Sequence, residues 1–233
     1  MTERKTTHLY YVDSDKRLSG SSHSFLFETT DSIKKARKCV LLQASIPKSY
    51  YTIPVGKNEF KINDTVITLT PQNYNYRSFV TEFNTKVQAS FPNITIARST
   101  LDDGKYKFTT DVPFTFTPTN TVIPRLLGME SASSTNIENN QYSTNCVSFT
   151  IHDIYIGCDF IRTEQKVLET NILAMVPVGS AADYQMVDYI NPHPNFMQEC
   201  SIPSKIQFSF YDSDENALDF NGVSVNLVLG FEE

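Results

Sequence analysis

The side chains that could do chemistry here are histidines, cysteines and a run of carboxylates, and their spacing is poor for it. The four histidines, His8, His23, His152 and His193, form no HxH or HExxH pattern, so a cupin-type or zincin metal site lacks its ligands. His152 beside Asp153 has the composition of an orienting pair, but it falls at a strand junction and reads as a structural histidine. His193, between two prolines, reads as loop. Cys39, Cys146, Cys158 and Cys200 make no CxxC pair, which excludes a zinc ribbon or thioredoxin motif. Cys146 and Cys158 fall on expected strand faces and read as buried, inert thiols. Asp212, Asp214 and Asn216 imitate the start of an EF-hand loop, yet Ala217 stands where glycine is needed and Val223 where the bidentate glutamate is needed. That stretch reads as a solvated turn. GxSxG, P-loop and GxGxxG patterns are missing from the sequence. With no convergent acid–base or metal cluster, neither an enzyme nor a cofactor is expected.

Two short stretches are better suited to contact than to catalysis. Lys34-Lys35-Ala36-Arg37-Lys38 is the sharpest charged feature, and it reads as a solvated loop before a strand or as a contact for an acidic neighbour, a membrane or packaged DNA. Ser49-Tyr50-Tyr51-Thr52-Ile53 lies between Pro47 and Pro54. Tyrosine pairs on such a loop serve interfaces, because a rigid ring buries area and keeps a polar tip. The same rings could instead cover the base of the chain's own core, and the sequence leaves both readings open. Lys34, Lys35, Arg37, Lys38, Tyr50 and Tyr51 are therefore the candidate inter-subunit contacts.

The elements that must position these residues are mostly strands. Of 233 residues, 40% are hydrophobic and 20% charged, enough apolar material for a core and too little charge for a disordered chain. Sixteen Phe and twelve Tyr favour sheet. A net charge of −6 disfavours general duplex binding, so no specific nucleic-acid partner is expected. Met1-Thr2-Glu3-Arg4-Lys5 leads into no apolar run, so a signal peptide is not expected, and no stretch has the length of a membrane span. The thiols then read as reduced, and the sequons at Asn63 and Asn93 as accidental.

Alternation predicts strands over His8 to Val12, Ser24 to Phe27 and Cys39 to Ile46. Phe60/Ile62 and Ile67/Leu69 predict a hairpin turning at Asn63-Asp64. Tyr76, Val80, Phe83 and Val87, with Phe79 beside them, predict a helix over about Tyr74 to Ser90. Short strands at Ile94/Ile96, Tyr106/Phe108 and Phe114/Phe116 follow, then a short helix from Val122 ending at Gly128, then a loop from Glu130 to Asn145. Further strands are expected at Val147/Phe149/Ile151, Ile154/Ile156/Cys158, Ile172 to Val178 and Gln185 to Tyr189. The chain closes on two alternating runs, one with Ile206, Phe208 and Phe210, the other from Val223 to Phe231. They read as a hairpin across an acidic turn in which Leu218 and Phe220 act as an apolar anchor. About nine strands outside the middle window suit a jelly roll, a two-sheet antiparallel β-sandwich. The chain is thus expected to be mainly β: a jelly-roll domain at 1–56 and 136–233, and a small inserted α/β subdomain at 57–135.

In order along nearly the whole chain, several short pieces resemble the single jelly-roll penton (minor capsid) proteins of virophages, polinton-like viruses and related large eukaryotic DNA viruses. They are Tyr11-Val12-Asp13-Ser14 with Arg17 and Gly20-Ser21-Ser22, Leu42-Gln43-Ala44-Ser45-Ile46-Pro47-Lys48-Ser49-Tyr50-Tyr51, and Gly56-Lys57-Asn58-Glu59-Phe60. Leu69-Thr70-Pro71-Gln72-Asn73-Tyr74, Asn171-Ile172-Leu173-Ala174 with Pro177-Val178, and Leu218-Asp219-Phe220-Asn221-Gly222 complete the set. The resemblance implies a homopentamer that caps the fivefold vertices of an icosahedral double-stranded DNA virus. It also implies the major capsid protein as neighbour, assembly in the reducing host cytoplasm, and a polar arm at residues 1–7 that reaches that neighbour. The alternative is a jelly-roll carbohydrate- or receptor-binding module on the virion surface. There the insertion would be the recognition surface, and Tyr50, Tyr51 or Tyr142 the aromatic platform.

Overall fold

The computed structural model describes residues 7–101, 103–130, 133–163, 166–167, 169–179 and 184–233. The arm expected at 1–7 lies, but for its last residue, outside them. In chain order the elements are β1 (Thr7–Asp13), a 3-10 turn (Ser14–Lys16), β2 (Ser19–Gly20), β3 (Ser24–Glu28), β4 (Lys38–Pro47), β5 (Glu59–Ile62), β6 (Thr65–Thr68), α1 (Tyr76–Gln88), β7 (Thr95–Arg98), β8 (Tyr106–Thr109), β9 (Phe114–Pro118) and α2 (Val122–Leu127). They continue with β10 (Thr135–Ile137), β11 (Asp153–Cys158), β12 (Lys166–Val167), β13 (Thr170–Pro177), β14 (Met186–Ile190), β15 (Gln198–Glu199), β16 (Lys205–Tyr211) and β17 (Asn226–Glu232). The chain divides into two compact units, residues 1–50 with 151–233, and residues 51–150.

The first unit is a jelly roll. One sheet runs β1-β17-β4-β14, with β15 also on β4, and the other runs β12-β13-β11-β16-β3-β2. Every ladder is antiparallel. The eight long strands β1, β3, β4, β11, β13, β14, β16 and β17 fall four to a sheet, in the order of two interlocked Greek keys. Alternation sets the core. Ile206, Phe208 and Phe210 of β16 point inward from one sheet, and Leu227, Leu229 and Phe231 of β17 from the other, all at most 1% exposed. Phe160 joins the layers, its ring centroid 5.9 Å from Phe208 and 6.0 Å from Phe231.

This arrangement overturns the closing hairpin. β16 pairs with β11 and β3, whereas β17 pairs with β1 and β4. Both runs alternate because each has a core face, but the faces oppose one another across the sandwich. The link at 212–225 therefore crosses between sheets, and Val223 is exposed outside β17. Leu218 and Phe220, buried in this crossing, pin it to the core.

The second unit has its own core. β10-β9-β5-β6 form a sheet and β7-β8 a ribbon. Asn63 and Asp64, with φ of 46° and 68°, make the two-residue turn that hairpin twist favours. Asn75 caps α1 by accepting from the N–H groups of Arg77 and Ser78, and Ser78 returns a bond to Asn75. Phe79, Phe83 and Val87 are the buried stripe of α1, and Phe83 stacks on Phe60 at 5.5 Å. Gly128, at φ 65°, closes α2 in the left-handed conformation that glycine tolerates best. Two expectations fail here. The stretch from Glu130 to Asn145 is not all loop, because β10 pairs with β9. Val147/Phe149/Ile151 is not a strand; the Val147 N–H donates to Gly104, and Val147 and Phe149 pack on this unit's core, while Ile151 joins the jelly-roll core. Apolar alternation there serves packing without a ladder.

Candidate functional site

The basic run spans the end of the link between β3 and β4 and the first residue of β4, Lys38. Ile33, Ala36 and Cys39 recur every third residue and turn inward, at 0%, 4% and 0% exposure. Their spacing throws Lys34, Lys35, Arg37 and Lys38 outward. The Ile33 N–H donates to Thr30 and the Ala36 N–H to Ile33, so the segment is held by consecutive turns. Lys34 Nζ donates to Asp31 Oδ1 at 2.7 Å, and that bond holds the Asp31 carboxyl below the usual carboxylate range.

Backbone pairing brings more distant residues to the same place. The Cys200 N–H donates to Arg37, the Arg162 N–H to Glu199, and the Arg37 N–H to Glu232. Lys38 stands opposite Glu199. The result is a hollow of about 550 Å³ lined, among the described residues, by Lys34, Lys35, Arg37, Lys38 and Arg162 against the carboxylate of Glu199. Several cations around one concavity give a positive potential that attracts anionic groups. The sequence could not place Arg162 here, because neither the β15 pairing nor the Ile161–Cys200 bridge leaves a mark in local pattern.

The hollow and Tyr50 lie at opposite ends of the sandwich. Residues 29–37, 159–163 and 191–204 share the basic end with β17's last residues. At the other end the chain leaves after Tyr50 and returns at Ile151. Tyr50 is 6% exposed, its ring 6.3 Å from Phe220, and belongs to the jelly-roll core. Ser49 Oγ donates to the Phe220 carbonyl at 2.6 Å and ties this stretch to the β16–β17 crossing. Tyr51 is half-buried.

Other residues read for chemistry fall in structural places. Asp212 is 2% exposed rather than solvated. Its Oδ1 accepts from the N–H groups of Asp214 at 2.9 Å and Asn216 at 2.8 Å, and its Oδ2 from Asn216 Nδ2 at 3.0 Å. Asp212 and Asn216 thus form a buried polar anchor within a turn whose Ser213, Glu215 and Asp219 are exposed, because the donors there need a charged acceptor where water is excluded. Cys158 and Cys200 lie in the jelly-roll core, where burial pushes their thiols up to about 12 and about 11, and burial also raises Cys39 well above an ordinary thiol. Cys146 is exposed and off any strand, contrary to its expected burial, and its thiol donates to the Asp103 carbonyl. His152 is exposed, and its carbonyl accepts from the Val178 N–H. Among the described residues, no group of three or more His, Cys, Asp or Glu side chains could hold a metal ion.

Sheet order and connectivity define a single jelly roll whose β4–β11 link carries a whole folded unit. Among solved structures the chain is similar to the mavirus penton protein, with 11% identity, 99% of each chain covered and a TM-score of 0.48. No family model and no curated protein matches the sequence.

Proposed function

We propose that the chain is a structural capsid protein, a penton that assembles as a homopentamer at the fivefold vertices of an icosahedral double-stranded DNA virus beside the major capsid protein. The observation that carries this reading is the eight-strand jelly roll interrupted between β4 and β11, on a chain whose ordered sequence pieces resemble penton proteins. Its mechanism is burial of complementary surface, with no bond made or broken. A closed ring of five needs a heterologous interface, one surface of a copy fitting a different surface of the next. The basic hollow suits one half of such an interface, because a chain of net charge −6 offers acidic surface elsewhere. Lys34, Lys35, Arg37 and Lys38 are its proposed contact residues; Tyr50 acts from within by fixing the base of the sandwich, with Tyr51 beside it. The inserted α/β subdomain, which we propose at 57–135 within the compact unit 51–150, would then be free for a role of its own. Light scattering coupled to size-exclusion chromatography tests the proposal. A mass near five times 26.4 kDa is expected, lost in Lys35→Glu/Lys38→Glu with unchanged melting. A monomer at every concentration, alone and with major capsid protein, overturns it.

A further inference from the structure

The outward face of the β11–β16–β3 sheet holds a second concavity, of about 340 Å³, that the capsid reading does not use. Its floor is made of small side chains. Ser24 and Ser209 stand opposite one another in the β3–β16 register, with their hydroxyls 3.3 Å apart. Gly157 sits at a bulge in β11, where a Cβ would come within 2.6 Å of the Thr170 methyl and 3.4 Å of the Tyr211 ring. Glycine there lets Thr170 and the Tyr211 ring lie close over the strand, and their hydroxyls stand 3.5 Å apart.

The walls are hydrogen-bonding groups. Asp159 Oδ1 accepts the Gln207 N–H at 2.9 Å, and Gln207 Nε2 reaches Ser24 Oγ at 3.4 Å. Asn171, whose amide donates to the Ile161 carbonyl, and Glu169, whose carboxylate pairs with Lys166 at 3.8 Å outside the lining, complete the rim. No cation is in the lining among the described residues. Partial burial pushes the Asp159 carboxyl above its ordinary range, and the Gln207 N–H only partly opposes this.

We propose that this concavity, lined by Ser24, Asp159, Thr170, Gln207, Ser209 and Tyr211, is a binding site for a neutral sugar. Carboxylate and amide oxygens accept from several ligand hydroxyls at once, and serine and threonine hydroxyls turn to donate or accept. The Tyr211 ring offers a face for the CH side of a pyranose. Asp159, with no cation beside it among the described lining residues, disfavours anionic ligands, which assigns phosphates and acidic peptides elsewhere. The volume lies at the small end of ligand sites and suits a terminal sugar residue. The site is complete within one copy, so it stands whether or not the chain forms a ring.

Saturation-transfer NMR on the full chain tests it, with methyl glycosides of glucose, galactose, mannose, fucose and N-acetylglucosamine as probes. At least one is expected to receive saturation at its ring CH protons. Asp159→Asn and Gln207→Ala, both exposed and tolerable to the fold, should each weaken binding at least tenfold, as should Tyr211→Ala if its melting is unchanged. Tyr142→Ala should leave binding intact. Silence across all five glycosides, or transfer that survives both Asp159→Asn and Gln207→Ala, overturns the proposal.

Discussion

Replacing Asp212 with alanine should destabilise the jelly roll far more than an acidic surface turn would allow. The carboxylate is 2% exposed and Asn216 is 8% exposed. It satisfies two backbone N–H groups and one side-chain amide at 2.8–3.0 Å. Alanine leaves all three donors without it in a place that water reaches poorly. An unsatisfied buried donor costs about 1–3 kcal/mol. Partial rehydration of a turn reduces the sum, so the expected loss is about 3 kcal/mol. At roughly 2–4 °C per kcal/mol for a chain of this size, the transition should fall by about 6–12 °C. Asp212→Asn keeps one oxygen for the two backbone donors and should lose about half as much. Differential scanning calorimetry is the assay of choice, because it resolves separate transitions if the two units melt apart. Exposed Asp15→Ala is the control, expected within about 0.5 kcal/mol of the parent. If Asp212→Ala melts with that control, the buried anchor is wrong and the turn is solvated.

Three further outcomes follow from the same structure. A thiol reagent at pH 8 should label one cysteine of the native chain, Cys146, and all four after denaturation, because the other three are buried and protonated; labelling of Cys146→Ser above background would contradict this. Native stability should be full below the unfolded thiol pKa near 9 and decline as pH rises towards 11–12, since the fold keeps protons that the unfolded chain releases. The slope approaches about 1.4 kcal/mol per pH unit per thiol, and Cys158→Ala should flatten melting temperature against pH. Gly128→Ala should cost more than about 1 kcal/mol in urea unfolding, because a Cβ at φ 65° would clash with the Asn145 carbonyl oxygen; a neutral result would mean that the α2 cap is not held there.

What the sequence made legible was faces, and what it hid was partners. Period-two alternation located seven of the eight long strands of the jelly roll within two residues or so, because each presents one side to a core. β17, which begins three residues after its apolar run, was located more loosely. Alternation carries no record of which strand lies alongside, so β16 and β17 read as a hairpin although each belongs to a different sheet. The turn at Asn63-Asp64 was legible because positive φ demands particular residues. Acidic composition misled at Asp212, where charge suggests solvent and the ladder of donors requires burial. The basic run was visible as a run, but Arg162 joins it only through backbone pairing at Cys200. The polar concavity was invisible for the same reason: Ser24, Asp159 and Gln207 are scattered along the chain and converge only when β3, β16 and β11 align.

The place of the inserted unit follows from the cost of chain closure. β4 and β11 belong to different sheets, so their link must cross the sandwich whatever its length. The entropy of closing a loop rises only with the logarithm of its length, about 0.6 kcal/mol per doubling, so a long link there is tolerated. A link of 100 residues that buries Phe60, Phe79, Phe83, Tyr106, Phe108 and Phe116 in its own core offsets its own ordering entropy and leaves the jelly roll's core intact. The link departs from the end opposite the basic hollow, so change in one need not disturb the other.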